Sequence, residues 1–264
     1  MKILKNLSGS KAAALAAGAI LTTLSVTANT AESTDDWQFG LKIYAWLPTI
    51  SGELLYPQPE GGNVEADAGK IIDNLKMTFM GSFEARKGKW SGFTDVLYLN
   101  LEGDESKSVI FPDGNTQEIA DAEMKLKSWV WTLAGAYSVW QQDKSHLDLF
   151  AGARLLALDT DLELSGAGPR QKTHKLSASE DIWTGIIGAK GRIGLNDRWF
   201  LPYYIDVGAG SSTSTWQALG GVGYSFNWGD IVLDYRYLEY DQDGNKPVQN
   251  LSIKGPELGV VFRW

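Results

Sequence analysis

The sequence has no cysteine, only two histidines and, after its first 31 residues, no long hydrophobic run. Without cysteine there is no disulfide framework and no thiolate metal centre. Without a later apolar run of about 20 residues there is no membrane-spanning helix beyond the start of the chain. Positive charge is also scarce: 24 Lys and Arg face 32 Asp and Glu, a formal charge of −8 that argues against nucleic acid as a partner. What the chain has in plenty is 11 Trp, 10 Tyr and 29 Gly among 264 residues, the composition of an aromatic-rich β protein with many tight contacts.

At the start, Lys2, Lys5 and Lys11 precede the uncharged run Ala12 to Val26, which gives way to small residues and then to the acidic "ESTDD". This is the layout of a secretory signal: a charged region, an apolar stretch of about 15 residues that is too short to span a bilayer, and a cleavage zone near Ala28 or Ala31. Cleavage leaves residues 32–264 as a single domain and, by removing three Lys and no acid, takes the formal charge from −8 to −11.

Beyond that point hydrophobicity repeats every two residues rather than every 3.6 or so. In "WQFGLKIYAWL", Trp37, Phe39, Leu41, Ile43, Ala45 and Leu47 fall on one face and Gln38, Gly40, Lys42, Tyr44 and Trp46 on the other. The same alternation predicts strands at about Lys76 to Lys87, Trp90 to Leu101, Met124 to Trp140, His146 to Leu158, Glu180 to Leu195, Trp199 to Ala209, Thr215 to Phe226, Ile231 to Asp241 and Leu251 to Trp264. That makes ten, with eight or twelve as alternatives, because "ISGELLY" can extend the first hairpin or form a strand of its own.

The connections alternate as well. "KGK", "QQDKS", "NDR" and "NWGD" are tight turns, whereas residues 48–75, 102–123, 160–179 and 242–250 are long and mostly polar; only "GSSTS" is short on the long side. An even strand count places both termini on the short-turn side and lets the last strand pair with the first. The expected fold is all-β, a closed antiparallel up-and-down barrel. Bulky apolar residues on one face of nearly every strand, opposite Gly, Ser, Thr and charges, are the pattern of a transmembrane barrel with short periplasmic turns and longer outer loops. A water-soluble barrel with an apolar lumen would reverse it. Trp37, Trp90, Trp199 and Trp228, together with Trp264, fall at the turn ends, where an aromatic girdle is expected.

The stretches "FMGSFEARKGKWSGFTDVLYLNL", "FAGARLL", "DYRYLEY" and "GPELGVVFRW" resemble a widespread group of Gram-negative outer-membrane β-barrel proteins, mostly without an assigned activity. The resemblance covers nearly all of the mature chain. It implies the cell outer membrane, with outer-membrane lipid and lipopolysaccharide as surroundings. A terminal aromatic preceded by alternating apolar residues, here Leu258, Val260, Phe262 and Trp264, is similar to the signal by which the barrel-assembly machinery recognises its clients. The group supplies no catalytic residues. A monomer without cofactor or metal is expected.

With the oilier face toward lipid, the charges that fall inward are Lys42, Glu84, Arg86, Asp95, Arg154, Lys190, Arg192, Asp206, Asp234, Arg236, Glu257 and Arg263. Counting residues from the nearest turn or terminus puts all of them within about 20 Å of the periplasmic rim. Two readings stay open. A salt-bridged plug satisfies the need to pair buried charge in a barrel barely wider than its side chains. A narrow aqueous channel would use the same charges as its constriction. A third reading, a rim-site lipid or peptide hydrolase, rests on His174 in the loop "RQKTHKLSASED", near Ser177, Ser179, Glu180 and Asp181; His146 lies beside a periplasmic turn. "DQDGN" at Asp241 to Asn245 is a fragment of a calcium loop without its later ligands, so it reads as a turn. Arg170, Lys172 and Lys175 give one loop a basic tip that could meet lipopolysaccharide phosphates. The prior expectation is a non-enzymatic protein with a closed or nearly closed interior.

Overall fold

Alternating faces and tight turns produce thirteen strands in the computed structural model, which describes residues 36–54, 62–66, 69, 75–105, 108–110, 116–166, 173–242 and 248–264. They are β1 (Trp37–Trp46), β2 (Thr49–Leu54), β3 (Gly62–Ala66), β4 (Leu75–Lys87), β5 (Trp90–Glu105), β6 (Ser108–Ile110), β7 (Thr116–Gln142), β8 (Ser145–Gly166), β9 (Thr173–Gly194), β10 (Trp199–Gly210), β11 (Thr213–Ser225), β12 (Gly229–Gln242) and β13 (Val248–Arg263). Ten of these, β1, β4, β5 and β7 to β13, form the wall, each antiparallel to the next. The wall closes where β1 pairs with β13, from Gly40 opposite Arg263 to Trp46 opposite Glu257. Closure removes the free edges that an open sheet would leave.

"ISGELLY" adds no wall strand. β2 prolongs β1 past a break at Leu47 and Pro48, stays on β13, and carries the short β3 on its other edge. The β1–β4 ladder behaves differently: it stops at Ile43 opposite Gly81. Above that point the Trp46 amide donates to the Met80 thioether at 3.1 Å instead of to a carbonyl, and Pro48 has no N–H to offer.

Stepping across the ladders from Lys42 through Ser82, Asp95, Thr132, Arg154, Thr184, Gly210, Thr213 and Gln242 returns to β13 about 12 residues from Val261, the residue that pairs with Lys42. Ten strands with that stagger tilt by about 40° and rise about 2.5 Å along the axis per residue. On the outer face, Trp90 and Tyr98, Tyr137 and Trp129, and Tyr224 and Trp216 therefore stand about 20 Å apart in height, close to the apolar band of a membrane barrel. Exposed Leu133, Ile187, Ile205, Val207 and Leu233 fill the space between.

The turns are local in origin. Gly88 (φ 58°), Asp143 (φ 52°) and Ser212 (φ 57°) supply the left-handed backbone that two-residue hairpins need. The Asn196 side-chain oxygen accepts from the amides of Arg198 and Trp199 at 2.9 and 2.8 Å and shapes the β9–β10 turn. Lys144 in the next turn donates to Asp197 Oδ1 at 3.0 Å, which holds that carboxyl below its ordinary range.

The opposite ends differ from the sequence expectation. Residues 102–123 and 160–179 are not mainly loop: β7 runs for 27 residues and β8 and β9 for 22 each, whereas β10 and β11 have 12 and 13. The far rim is therefore tall on one side and low on the other. His174 lies within β9, opposite Leu164, and its side chain is outside the described residues. Residues 1–31 and Arg170 and Lys172 also lie outside the described residues, as do the side chain of Lys175 and the tip of "DQDGN".

Gly88 has open space around the position a β-carbon would take, so replacement meets backbone strain alone. Gly88→Ala is expected to lower stability by about 1 kcal/mol, and Gly88→Asn by less, in urea unfolding from lipid vesicles. An unchanged midpoint for Gly88→Ala would contradict the turn geometry.

Candidate functional site

The lumen is layered. Nearest the turns, Arg263 pairs with Asp230, and Arg192 reaches over from β9 to within 4.0 Å of the same carboxylate while its Nε donates to the Lys144 carbonyl at 3.0 Å. On the opposite wall Arg86 pairs with Asp148 and, at 3.0 Å, with Glu84; His146 Nε2 stands 3.9 Å from Asp148. Deeper by a few residues, Lys190 donates to Glu84 at 2.7 Å, and Lys42 sits between Asp234 at 2.9 Å and Glu257 at 2.5 Å.

The deepest charged layer is the most fully satisfied. Arg236 donates to Asp95 at 3.1 Å, to Gln217 Oε1 at 2.9 and 3.2 Å and to the Tyr44 hydroxyl at 3.0 Å; that hydroxyl in turn donates to Asp95 at 3.0 Å. Glu257 lies 3.6 Å from the same guanidinium. Arg154 bonds both carboxylate oxygens of Asp206, one at 3.0 Å, and donates to Thr132 at 3.2 Å and Tyr204 at 3.4 Å. Such forked, charge-assisted pairs are the strongest available to a guanidinium.

All twelve charged residues named from the sequence meet at least one partner in this set. Two more belong to it. Asp148 and Asp230 bring the balance to seven cations and seven anions. Asp148 shares its face of β8 with Phe150 and Arg154, which an unbroken count by twos reaches. Asp230 precedes Ile231, and the tight "NWGD" turn hides it although β12 begins at Gly229. Tyr44, Tyr204, Thr132 and Gln217 are neutral partners that alternation alone does not mark as special.

Beyond the charges the inward side chains among the described residues are mainly apolar, with Ser128, Thr213, Thr215 and Gln242 buried as well. Trp46, Leu97, Leu99, Val130, Leu156, Leu238 and Tyr240 are buried together with Met80, Ile182 and Ile253 in one cluster. The Trp46 indole N–H donates to the Gly255 carbonyl at 3.1 Å, so even its polar edge is satisfied. On the turn side a cavity of about 560 Å³ is lined by the rim and middle charges and ends against Asp95, Thr132, Tyr204, Gln217 and Arg236.

Outside, Trp37, Trp90, Trp199, Trp228 and Trp264 are exposed at the turn end and join neighbours: Trp37 with Phe39 at 6.1 Å, Trp90 with Tyr137 at 4.8 Å, Trp199 with Tyr224 at 5.0 Å, Trp228 with Phe262 at 5.8 Å, and Trp264 with Phe39 at 6.0 Å. A second ring, absent from the sequence reading, has Trp129 against Tyr98, Trp131 against Trp183 and Trp216 against Tyr237. Leu258, Phe262 and Trp264 are exposed on the outer face of the last strand, and Val260 is half-buried there. An exposed apolar wall between two aromatic rings is the surface of a membrane barrel.

No protein-family model matches the chain, and no curated protein sequence does either. Among solved structures, the outer membrane protease OmpT from Escherichia coli matches at TM-score 0.54 and 10% identity, over 89% of this chain and 99% of that one. The fold is that of an outer-membrane β-barrel. At this identity the likeness to the protease is one of fold. The barrel also matches the translocator domain of the autotransporter NalP from Neisseria meningitidis (TM-score 0.43, 17% identity, 85% and 88% of the two chains) and Neisserial surface protein A (TM-score 0.33, 12% identity, 86% and 97%).

Removing one member of a fully buried pair leaves the other charge uncompensated. Asp206→Leu is expected to destabilise the barrel by about 3–5 kcal/mol, and Arg154→Met in the same chain to restore most of that loss. Urea unfolding of the two single variants and the double variant measures the coupling; additive losses would refute it.

Proposed function

We propose that this protein is a non-enzymatic integral outer-membrane barrel whose lumen is closed, with both termini and the short turns in the periplasm and the extended strands outside. One observation carries the reading. The apolar cluster of Leu97, Val130, Leu156 and Leu238 lies directly over the Arg154 and Arg236 pairs. An ion leaving the cavity in that direction would shed its water against mostly hydrocarbon side chains, where the Tyr240 hydroxyl is too little to replace a hydration shell, and the cost of a poorly solvated charge in such surroundings is many kcal/mol. The guanidiniums below the cluster are already satisfied and have no reason to move.

A narrow channel is the second reading, favoured by the cavity that reaches part-way from the turn end. It requires the apolar cluster to part. With a sealed lumen, the working surface is the wall of β7, β8 and β9 beyond the second aromatic ring, among lipopolysaccharide. The barrel is read as a monomer, inserted by the barrel-assembly machinery through Leu258, Val260, Phe262 and Trp264.

Planar-bilayer recording tests the seal. The wild-type barrel is expected to give no conductance steps, and the double variant Arg154→Ala, Leu156→Ala, which removes one inward side chain from each layer, to give them. Steps in the wild type whose ion selectivity shifts in Arg154→Ala would establish the channel instead.

A further inference from the structure

The turn-side cavity is neutral by formal count but not in what it shows to water. Arg263, Arg192, Lys42, Arg86 and Lys190 keep 48, 25, 18, 15 and 14% of their side chains exposed. Their acidic partners Asp230, Asp234, Glu257 and Asp148 keep at most 1%. Short carboxylates lie against the wall and long cations lie over them. The water-facing acids are Glu84 and Asp95, at 31 and 18%, and Asp143 in the turn at the mouth. The inner surface is therefore cationic, with its negative charge set behind it.

The space is also built rather than left over. A β-carbon at Gly223 would overlap the Phe200 ring, one at Gly188 the Phe150 ring, and one at Gly259 the Lys42 side chain. These glycines let large side chains lie flat on the wall, which keeps the middle of the lumen clear. Two of the cations rest on rings that face the cavity, Lys190 on Phe93 at 4.3 Å and Arg192 on Phe200 at 5.0 Å. About 560 Å³ lies in the range of small-molecule sites.

We infer that this vestibule binds a small organic anion, a carboxylate or phosphate monoester carried on a ring, entering from the turn side. Its acidic group sits between Arg192 and Arg263, which share a single carboxylate, and its ring fills the cavity between the cations that Phe200 and Phe93 support. The inference rests on the closed-lumen reading, which makes the vestibule blind.

The test uses the full barrel in lipid nanodiscs and fluorine NMR of three probes of similar size: 4-fluorobenzoate, 4-fluorophenyl phosphate and 4-fluorobenzylammonium. Both anions are expected to broaden and the cation to stay sharp; which anion binds more tightly separates the carboxylate from the phosphate source. Arg192→Gln and Arg263→Gln are each expected to weaken anion binding about tenfold, the size of one charge-assisted contact. Asp230→Asn frees both guanidiniums and is expected to strengthen it, a gain that a misfolded variant does not produce. Sharp lines for both anions up to about 10 mM, equal broadening of the cation, or weaker binding in Asp230→Asn would overturn the inference. A silent bilayer with no binding sinks the anion site alone. Conductance with binding sinks the closed lumen alone.

Discussion

Charge inside this barrel has to be neutralised by the wall that carries it. The apolar cluster keeps water from the deep side of Arg154 and Arg236, so each guanidinium must find its oxygen atoms on neighbouring strands. The register supplies them: Arg154 faces Thr132 on one adjoining strand and Thr184 on the other, and Asp206 lies two strands away on the same inward face. A slip of one residue in any of these ladders would turn an arginine toward lipid and leave an aspartate alone inside. The pairs therefore contribute more to a unique register than to net stability, where buried ion pairs of this kind gain little over apolar packing.

The layering follows from side-chain length as much as from charge. Aspartates near the turn end stay close to the backbone, and arginines and lysines extend over them. Glycines on adjoining strands make room for the stems and rings to lie down. In the far half, Leu, Val and Trp take the inward positions and meet across the axis, where the lumen is filled as a small protein core is filled. The same ten strands thus enclose a hollow polar half and a filled, mainly apolar half.

The sequence made the membrane-level architecture legible because two solvents impose one period there. From Trp37 to Trp46 or from Trp90 to Leu99, lipid on one side and the lumen on the other keep hydrophobicity alternating, and the hairpin turns fall within a residue or two of their expected places. Beyond the second aromatic ring the positions in step with Trp129 and Trp131 turn from apolar to charged, as with Asp121, Glu123, Lys125 and Lys127 in β7, while Ala120, Ala122, Met124 and Leu126 alternate with them. The strands remain paired and the period of two persists, but without the oily lipid-facing side chains and with many charges residues 102–123 and 160–179 resembled loops. The apolar plug escaped notice for the opposite reason: in "SWVWTL" and "RLLALD" both faces are apolar, and alternation cannot separate Trp131, which faces lipid, from Val130, which faces the core. Exposure asymmetry between paired charges depends on the depth of neighbouring side chains and has no signature in spacing.

The end of the β1–β4 ladder at Ile43 and Gly81 has a mechanical meaning. To make the cross-section of a barrel oval, adjacent strands must shear or part, and a continuous ladder resists this with one hydrogen bond at nearly every step. Among the described residues, the stretch from Tyr44 to Pro48 is outside the β1–β4 ladder and is joined to β4 by the hydrogen bond from the Trp46 amide to Met80 and by side-chain packing. A change in lateral pressure or bilayer thickness therefore has fewer ladder bonds to shear along this line than along the β12–β13 ladder, which is paired without a break from Asn250 to Phe262.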